Sequence, residues 1–164
     1  MVKQSYKLST GVTLLEMMVA LLILSIGLLG VATLQARGQQ FNQVAYFRTQ
    51  ATFLAYDLME RIRVNPTDSS GTAGTYVSTL DSNNCPTDVN EDFCDGNAKD
   101  CDKDALVKYD KVQWCKHLAN TLPGGNATIA WNSDDSTYTI TIQWQNVIPD
   151  RPIETRIWTL HLAN

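Results

Sequence analysis

The sequence predicts an α+β protein, in which a long N-terminal helix packs on a small antiparallel β-sheet. Apolar residues run without a charge from Met17 to about Leu34 and then recur at three- and four-residue spacing as far as Ile62, which is the pattern of one long helix. Near the carboxyl end, residues 138–144 alternate between apolar and polar side chains, as a strand with one buried face does. Neither apolar surface can be buried alone, so the two are expected to pack together.

Residues 1–11 form a short leader that carries Lys3 and Lys7 and ends at Gly11. Residues 12–34 follow as a predicted transmembrane segment, since about 20 apolar residues suffice for one crossing. An ordinary secretory signal has its small-residue cleavage site after the apolar region, whereas Gly11 precedes that region. Cleavage after Gly11 would therefore leave the apolar helix on the mature protein.

Glu16 is a charged residue at the start of this apolar segment. A carboxylate left unpaired in hydrocarbon costs about 2.5 kcal/mol or more, so Glu16 is expected to have a partner or a function. An uncleaved signal anchor is the alternative interpretation of the segment, but it gives no reason for Glu16.

Residues 35–65 continue the helix with an amphipathic pattern. The predicted buried side is formed by Val44, Phe47, Ala51, Leu54, Ala55, Leu58 and Ile62. The opposite side carries Asn42, Thr49 and Glu60, and the pre-proline residue Asn65 ends the helix. This part should pack against a globular head, whereas the first part of the helix is apolar all round.

Residues 66–164 are predicted to form that head. Residues 66–104 are rich in Ser, Thr, Asn, Asp and Gly, which predicts a long loop. Residues 105–122 have helical spacing and are followed by Pro-Gly-Gly, whereas residues 127–162 predict successive antiparallel strands with short connections.

Four cysteines, Cys85, Cys94, Cys101 and Cys115, lie in the polar middle of the chain. The leader places this segment outside the cytoplasm, where an even number of cysteines predicts two disulfides, and four cysteines allow three pairings. Because loop closure costs least at short separation, Cys85–Cys94 with Cys101–Cys115 is the predicted pairing. Zinc binding is the alternative, but no C-x-x-C or paired histidine spacing supports it.

The same segment raises the question of calcium. Asp100, Asp102 and Asp104 alternate as calcium ligands do, but Ala105 and Lys111 stand where an EF-hand loop needs a glycine and an acid. A solvated acidic loop is the favoured interpretation, and no metal site is predicted.

Composition and motifs argue against two further classes of function. The 164-residue chain has 13 basic and 17 acidic residues, and removal of Lys3 and Lys7 leaves 11 basic against 17 acidic, which changes the formal charge from −4 to −6. This balance disfavours nucleic-acid binding, and ion pairing on a helix is the favoured role of Arg61 and Arg63. There is no Gly-rich phosphate loop, G-x-S-x-G elbow or H-E-x-x-H helix, so no enzyme and no cofactor are predicted.

The segment Gly11-Val12-Thr13-Leu14-Leu15-Glu16 resembles the type III (prepilin) signal of type IV pilins and type II secretion pseudopilins. The resemblance implies that a prepilin peptidase cuts between Gly11 and Val12, and that Val12 becomes the N-methylated first residue. It also implies that Glu16 acts in assembly, where the methylated amine of a neighbouring subunit can neutralise it.

Further along, residues 56–66 (YDLMERIRVNP) and residues 122–125 (LPGG), followed by a strand ending at Trp144, are similar to PilV-type minor pilins. The resemblance implies the pilin fold and a minor subunit that helps to initiate pilus assembly near the fibre tip, and so acts in adhesion and twitching motility. Expected partners are the prepilin peptidase, other minor pilins and the major pilin through the N-terminal helix, and a tip adhesin. The protein is expected in the inner membrane with its head in the periplasm, and then in the pilus.

Two other functions remain as alternatives. A type II secretion pseudopilin has the same kind of leader and helix, and a membrane-anchored periplasmic binding domain is more distant. Major pilins typically close a disulfide loop near the carboxyl end, whereas here the last cysteine is Cys115 and the chain finishes on a predicted strand. This difference favours a minor subunit.

Overall fold

The computed structural model of the protein describes residues 13–67, 73–87, 94 and 101–162. In chain order, the elements are α1 (Leu14–Val64), β1 (Ser78–Asp81), α2 (Lys103–Thr121), β2 (Asn126–Asn132), β3 (Thr137–Trp144) and β4 (Glu154–His161). Contacts divide the chain into two compact units, Met1–Phe41 and Asn42–Asn164. The predicted α+β class, with a long N-terminal helix and a small antiparallel sheet, is confirmed.

Helix α1 has 51 residues, none of which is proline. It ends where predicted, because Pro66 disfavours helical geometry at Asn65. The residues of α1 before Val44 are all exposed. The buried residues are Val44, Ala51, Leu54, Ala55, Leu58, Met59 and Ile62, while Phe47 is partly buried. These residues include the whole predicted stripe, with Met59 in addition.

The four strands form one antiparallel sheet in the order β1-β2-β3-β4. Ile140 at the centre of β3 lies opposite Ile129 of β2 and Trp158 of β4. The alternating residues of β3 are buried as predicted, namely Tyr138, Ile140, Ile142 and Trp144. They supply the inner face of the sheet.

Strand β1 corrects the loop predicted for residues 66–104. It pairs with β2 from Ser78 opposite Ile129 to Asp81 opposite Asn126. Four residues that include Ser, Thr and Asp have too little periodicity to predict a strand. The strand forms because β2 supplies its hydrogen-bond partners and because Leu80 is buried in the core.

Helix α2 begins two residues earlier than predicted, at Lys103, and ends one residue earlier than predicted, at Thr121. The side chain of Asp102 accepts a hydrogen bond from the Ala105 N–H at 2.7 Å, which caps the first turn. After the helix, Gly124 adopts a φ of 57°, where a side chain would be strained. The buried residues of α2 are Val107, Asp110, Val112, Trp114, Cys115 and Leu118.

The hydrophobic core of the second unit brings together α1, α2 and the sheet. Its largest fully buried side chains are Trp114, Trp144, Tyr76 and Tyr138. Trp114 also donates its indole N–H to the Leu54 carbonyl of α1 at 2.8 Å. This bond satisfies the polar atom of a buried indole and fixes the position of α2 along α1.

Candidate functional site

The beginning of α1 contains the predicted assembly residue Glu16, whereas Gly11 and Val12 lie outside the described residues. Thr13 Oγ1 accepts a hydrogen bond from the Glu16 N–H at 3.3 Å, and the Thr13 carbonyl accepts one from the Met17 N–H at 3.2 Å. Thr13 is therefore positioned as the N-cap of α1. The spacing Thr-x-x-Glu is that of a capping box, a signal that the sequence analysis missed.

The capping arrangement gives Glu16 a local use within its own helix. A glutamate at this position can reach back to the cap, and a carboxylate in the first turn interacts favourably with the helix dipole. A function of the Glu16 charge in assembly therefore has to be separated from its function as part of a cap.

The segment after Glu16 presents an uninterrupted apolar surface. Its large apolar side chains are about half to 70% exposed, including Val19 at 48%, Leu21 at 62% and Leu34 at 70%. Helix α1 is long and apolar enough here to cross a membrane. Ser25 and Thr33 donate their hydroxyls to carbonyls of the preceding turn at 2.8 and 2.9 Å, so these polar side chains are satisfied without water.

The other end of α1 carries a partly buried cluster of charges. Arg61 contacts Asp57 one turn earlier at 3.0 Å and Asp110 of α2 at 2.7 Å. Tyr76 donates its hydroxyl to the second oxygen of Asp110 at 2.6 Å. Burial, together with the hydrogen bond to Asp110, raises the pKa of Tyr76 far above its ordinary value. The cluster thus ties α1 to α2 and to the segment before β1.

Asn65 completes this junction. It is 3% exposed and donates its side-chain amide to the Lys103 carbonyl at the start of α2, at 2.8 Å. Together with Asp57 and Arg61, it lies in the segment 56–66 at the end of α1. In this structure the polar residues of that segment hold the two helices together.

Arg63, for which ion pairing on the helix was also predicted, pairs with Glu60 on the exposed side of α1. The two arginines therefore differ in their surroundings. Arg61 joins two helices and Arg63 forms a local surface pair.

The four cysteines form two disulfides, as predicted, but the predicted pairing is wrong. The bonds are Cys85–Cys115 and Cys94–Cys101. Strand β1 is fixed beside β2 and contacts α2, so it delivers Cys85 to the buried Cys115. Tertiary packing decides this pairing, whereas the predicted pairing rested only on the cost of closing loops in a free chain.

The candidate calcium ligands are divided by the structure. Asp102 caps α2, Asp104 lies in its first turn, and Asp100 is outside the described residues. Among the described residues, no group of three or more His, Cys, Asp or Glu side chains is placed to hold a metal ion.

Models of known protein families match the end of the leader, the long helix and part of the head. Residues 7–32 match the prokaryotic N-terminal methylation motif, and residues 33–112 match the family Tt1218-like, described as Type IV pilin Tt1218. No curated protein and no solved structure matches the chain. The two matched ranges are consecutive and extend from the leader to the middle of α2. The chain is therefore similar to the N-terminal methylation motif over residues 7–32 and to a type IV pilin family over residues 33–112.

Proposed function

We propose that the protein is a minor type IV pilin of the PilV type. Residues 12–34 hold it in the inner membrane with its head in the periplasm, and the same residues later lie in the pilus core. There it takes part in initiating assembly near the fibre tip, and so in adhesion and twitching motility. The observation that carries the proposal is an exposed apolar helix that begins within the match to the N-terminal methylation motif and continues into the match to a type IV pilin family.

Two features support a minor subunit. The segment 56–66, similar to PilV-type minor pilins, forms the junction of α1 with α2 through Arg61 and Asn65. Cys115 lies on α2 and pairs with Cys85, so this disulfide precedes the strands β2, β3 and β4. This arrangement differs from the carboxyl-terminal disulfide loop that major pilins typically have.

Processing follows from the leader. A prepilin peptidase cuts after Gly11, and Val12 becomes the methylated amino terminus. Intact-mass analysis should find a chain that begins at methylated Val12. Gly11→Val should block cleavage, whereas Ser9→Val in the same leader should not. A mature chain that retains residues 1–11 in cells with an active peptidase would contradict the proposal.

The charge of Glu16 selects the register of the subunit in the fibre. A carboxylate among apolar helices is costly, and the positive amine of a neighbouring subunit's first residue neutralises it when the two helices reach the right axial position. Apolar contacts of residues 17–34 supply most of the adhesion. The carboxylate therefore decides where the subunit docks.

Three variants separate this function from helix capping. Glu16→Ala removes both the charge and the capping side chain, Glu16→Gln removes the charge but can still cap, and Thr13→Ala removes the cap but keeps the charge. The amount of each variant in sheared pili is compared with cleaved protein in the membrane. We expect incorporation to fall several-fold for both Glu16 variants and to change little for Thr13→Ala.

Two results would decide against an assembly function of the charge. Native incorporation of Glu16→Gln would mean that the carboxylate does not guide docking. A loss confined to Glu16→Ala and Thr13→Ala would assign Glu16 to the helix cap alone. Glu60→Ala, in the head part of the same helix, serves as the control.

A deletion strain tests the kind of fibre. Loss of twitching with normal protein secretion supports the pilus. Loss of secretion with normal twitching would assign the chain to a type II secretion system, whose pseudopilins share this kind of leader.

A further inference from the structure

A cleft of about 470 Å³ lies on the head, where the end of α1, the β2–β3 turn and the end of β4 meet. The lining includes Arg63, Pro66, Thr67, Trp131, Ser136 and His161. Its volume falls within the range of about 300–1,000 Å³ that is usual for small-molecule pockets. None of these residues has a part in the assembly function proposed above.

The indole of Trp131 is fixed as an apolar wall of this cleft. The ring of Tyr138 packs against it with the two centroids 4.6 Å apart. On another side, Gly74 has a φ of 89°, and a Cβ atom at this position would lie 3.0 Å from Trp131 Cδ1. Glycine is thus required at position 74 by its backbone conformation and by its closeness to the indole. The wall is in place before any ligand arrives.

His161 presents a defined hydrogen-bonding atom. Its Nδ1 lies 2.9 Å from Thr137 Oγ1, and the same hydroxyl donates to the Asp135 carbonyl at 3.0 Å. A hydroxyl has one proton to donate, so Nδ1–H must be the donor to Thr137. In the neutral ring, Nε2 is then an acceptor. His161 can therefore accept a hydrogen bond from a ligand hydroxyl.

Arg63 and Ser136 add complementary groups. The pair of Arg63 with Glu60 is solvent-exposed and therefore weak, and the guanidinium has five N–H donors in a planar fork that fits a carboxylate. Ser136 has a φ of 51°, a conformation that favours glycine, yet a serine occupies it and lines the cleft. Backbone strain of this kind is often found at functional sites.

We propose that this cleft binds a saccharide that carries a carboxylate. The C–H face of the sugar ring lies against Trp131 and Pro66, and the carboxylate pairs with Arg63. A sugar hydroxyl donates to Nε2 of His161, while Thr67 and Ser136 bond to neighbouring oxygens. This proposal does not depend on the subunit's place in a pilus.

The test uses the mature full-length chain in detergent micelles and isothermal titration calorimetry. The probes are trigalacturonate, its methyl ester, which has the same rings without the charge, and a single-stranded oligodeoxynucleotide. We expect the acid to bind about tenfold or more tightly than the ester, because a charged hydrogen bond is lost in the ester. The oligonucleotide should not compete with the acid.

Variants connect the binding to the cleft. Arg63→Gln should weaken binding of the acid about tenfold and leave the ester unchanged, whereas Arg156→Gln, an exposed arginine of β4 outside the cleft lining, should change neither. Ser136→Gly removes the whole CH2OH side chain with its hydroxyl and relieves the strained backbone, so we expect affinity to fall about threefold while near-ultraviolet circular dichroism shows the variant folded.

Any of three results would overturn the proposal. The first is no heat of binding with the acid at millimolar concentration. The second is equal affinity of Arg63→Gln and the native chain for the acid, with near-ultraviolet circular dichroism showing both folded. The third is an oligonucleotide that binds more tightly than the acid and depends on Arg63 in the same way, which would assign the cleft to nucleic acid.

Discussion

The part of α1 before Val44 and the part from Val44 to Val64 have the same secondary structure in opposite surroundings. Leu24, in the first part, is 57% exposed, whereas Leu58, in the second, is fully buried. The first part forms a helix although its described residues are all exposed, because it has no proline and its hydroxyls bond within the helix. The second part owes its stability to the core. The apolar surface of the first part must therefore be covered by lipid or by other subunits.

The largest expected effect comes from truncating one leucine in each part. Leu58→Ala should lower the free energy of unfolding of the head by about 4 kcal/mol, since it removes buried methyl groups and leaves a cavity. Leu24→Ala should change it by less than about 0.5 kcal/mol. Urea unfolding in detergent, followed by near-ultraviolet circular dichroism, measures both. Equal losses would break the comparison, because they would show that the first part stabilises the head.

The second effect concerns the disulfides, both of which lie in the second unit. Cys85→Ser with Cys115→Ser opens a separation of 30 residues and should cost about 3.5 kcal/mol, whereas Cys94→Ser with Cys101→Ser opens 7 and should cost about 2.5 kcal/mol. The first pair costs more also because position 115 is fully buried. Thermal unfolding of the two double variants would reveal the order, and the reverse order would contradict the assignment of Cys85–Cys115 to the core.

A smaller contrast is expected between two arginines of the second part. The Arg61 side chain is 26% exposed and pairs with Asp110, itself 9% exposed, whereas the Arg63 side chain is 53% exposed. Arg61→Gln should cost about 2 kcal/mol, because a nearly buried carboxylate loses its partner, and Arg63→Gln should cost less than about 0.5 kcal/mol. Urea midpoints of the two variants provide the measurement. Similar midpoints would mean that solvent screens the junction of α1 and α2 as fully as the surface.

The smallest expected effect is a fall in the stability of the head at alkaline pH. The pKa of Tyr76 is raised in the folded protein and has its ordinary value of 10.0 in the unfolded chain. The contribution of this hydroxyl to the free energy of unfolding is therefore complete below about pH 10. Above that pH the unfolded tyrosine loses its proton while the folded one keeps it, and stability falls by about 1.4 kcal/mol per pH unit. Tyr76→Phe should be less stable at pH 8 and should show a shallower decline between pH 10 and 11. An unchanged slope would exclude Tyr76 as its source.

Features with a regular period could be predicted from the sequence, and features set by tertiary contact could not. The buried stripe of α1 and the alternation in β3 follow from side-chain spacing alone. Strand β1 and the partner of Cys85 depend on β2 and α2, which no local pattern describes. Asp110 is a charged residue in the core, and its burial is intelligible only once Arg61 and Tyr76 are seen beside it.

The candidate sites show the same division. The capping box at Thr13 could have been read from its spacing, since Glu16 follows at the third position. The cleft on the head had no such signal, because Arg63, Trp131 and His161 come from three separate elements. Gly11 and Val12 were predicted from the leader and stay predictions, because they lie outside the described residues.

The hydrogen bond from Trp114 to the Leu54 carbonyl has a mechanical consequence. A tensile load applied to α1 reaches α2 through this bond and through the Arg61–Asp110 pair. From α2 the load passes to the segment after β1 through a covalent link, Cys115–Cys85. This series of contacts connects α1 to the sheet through α2, and its step between the two helices is non-covalent.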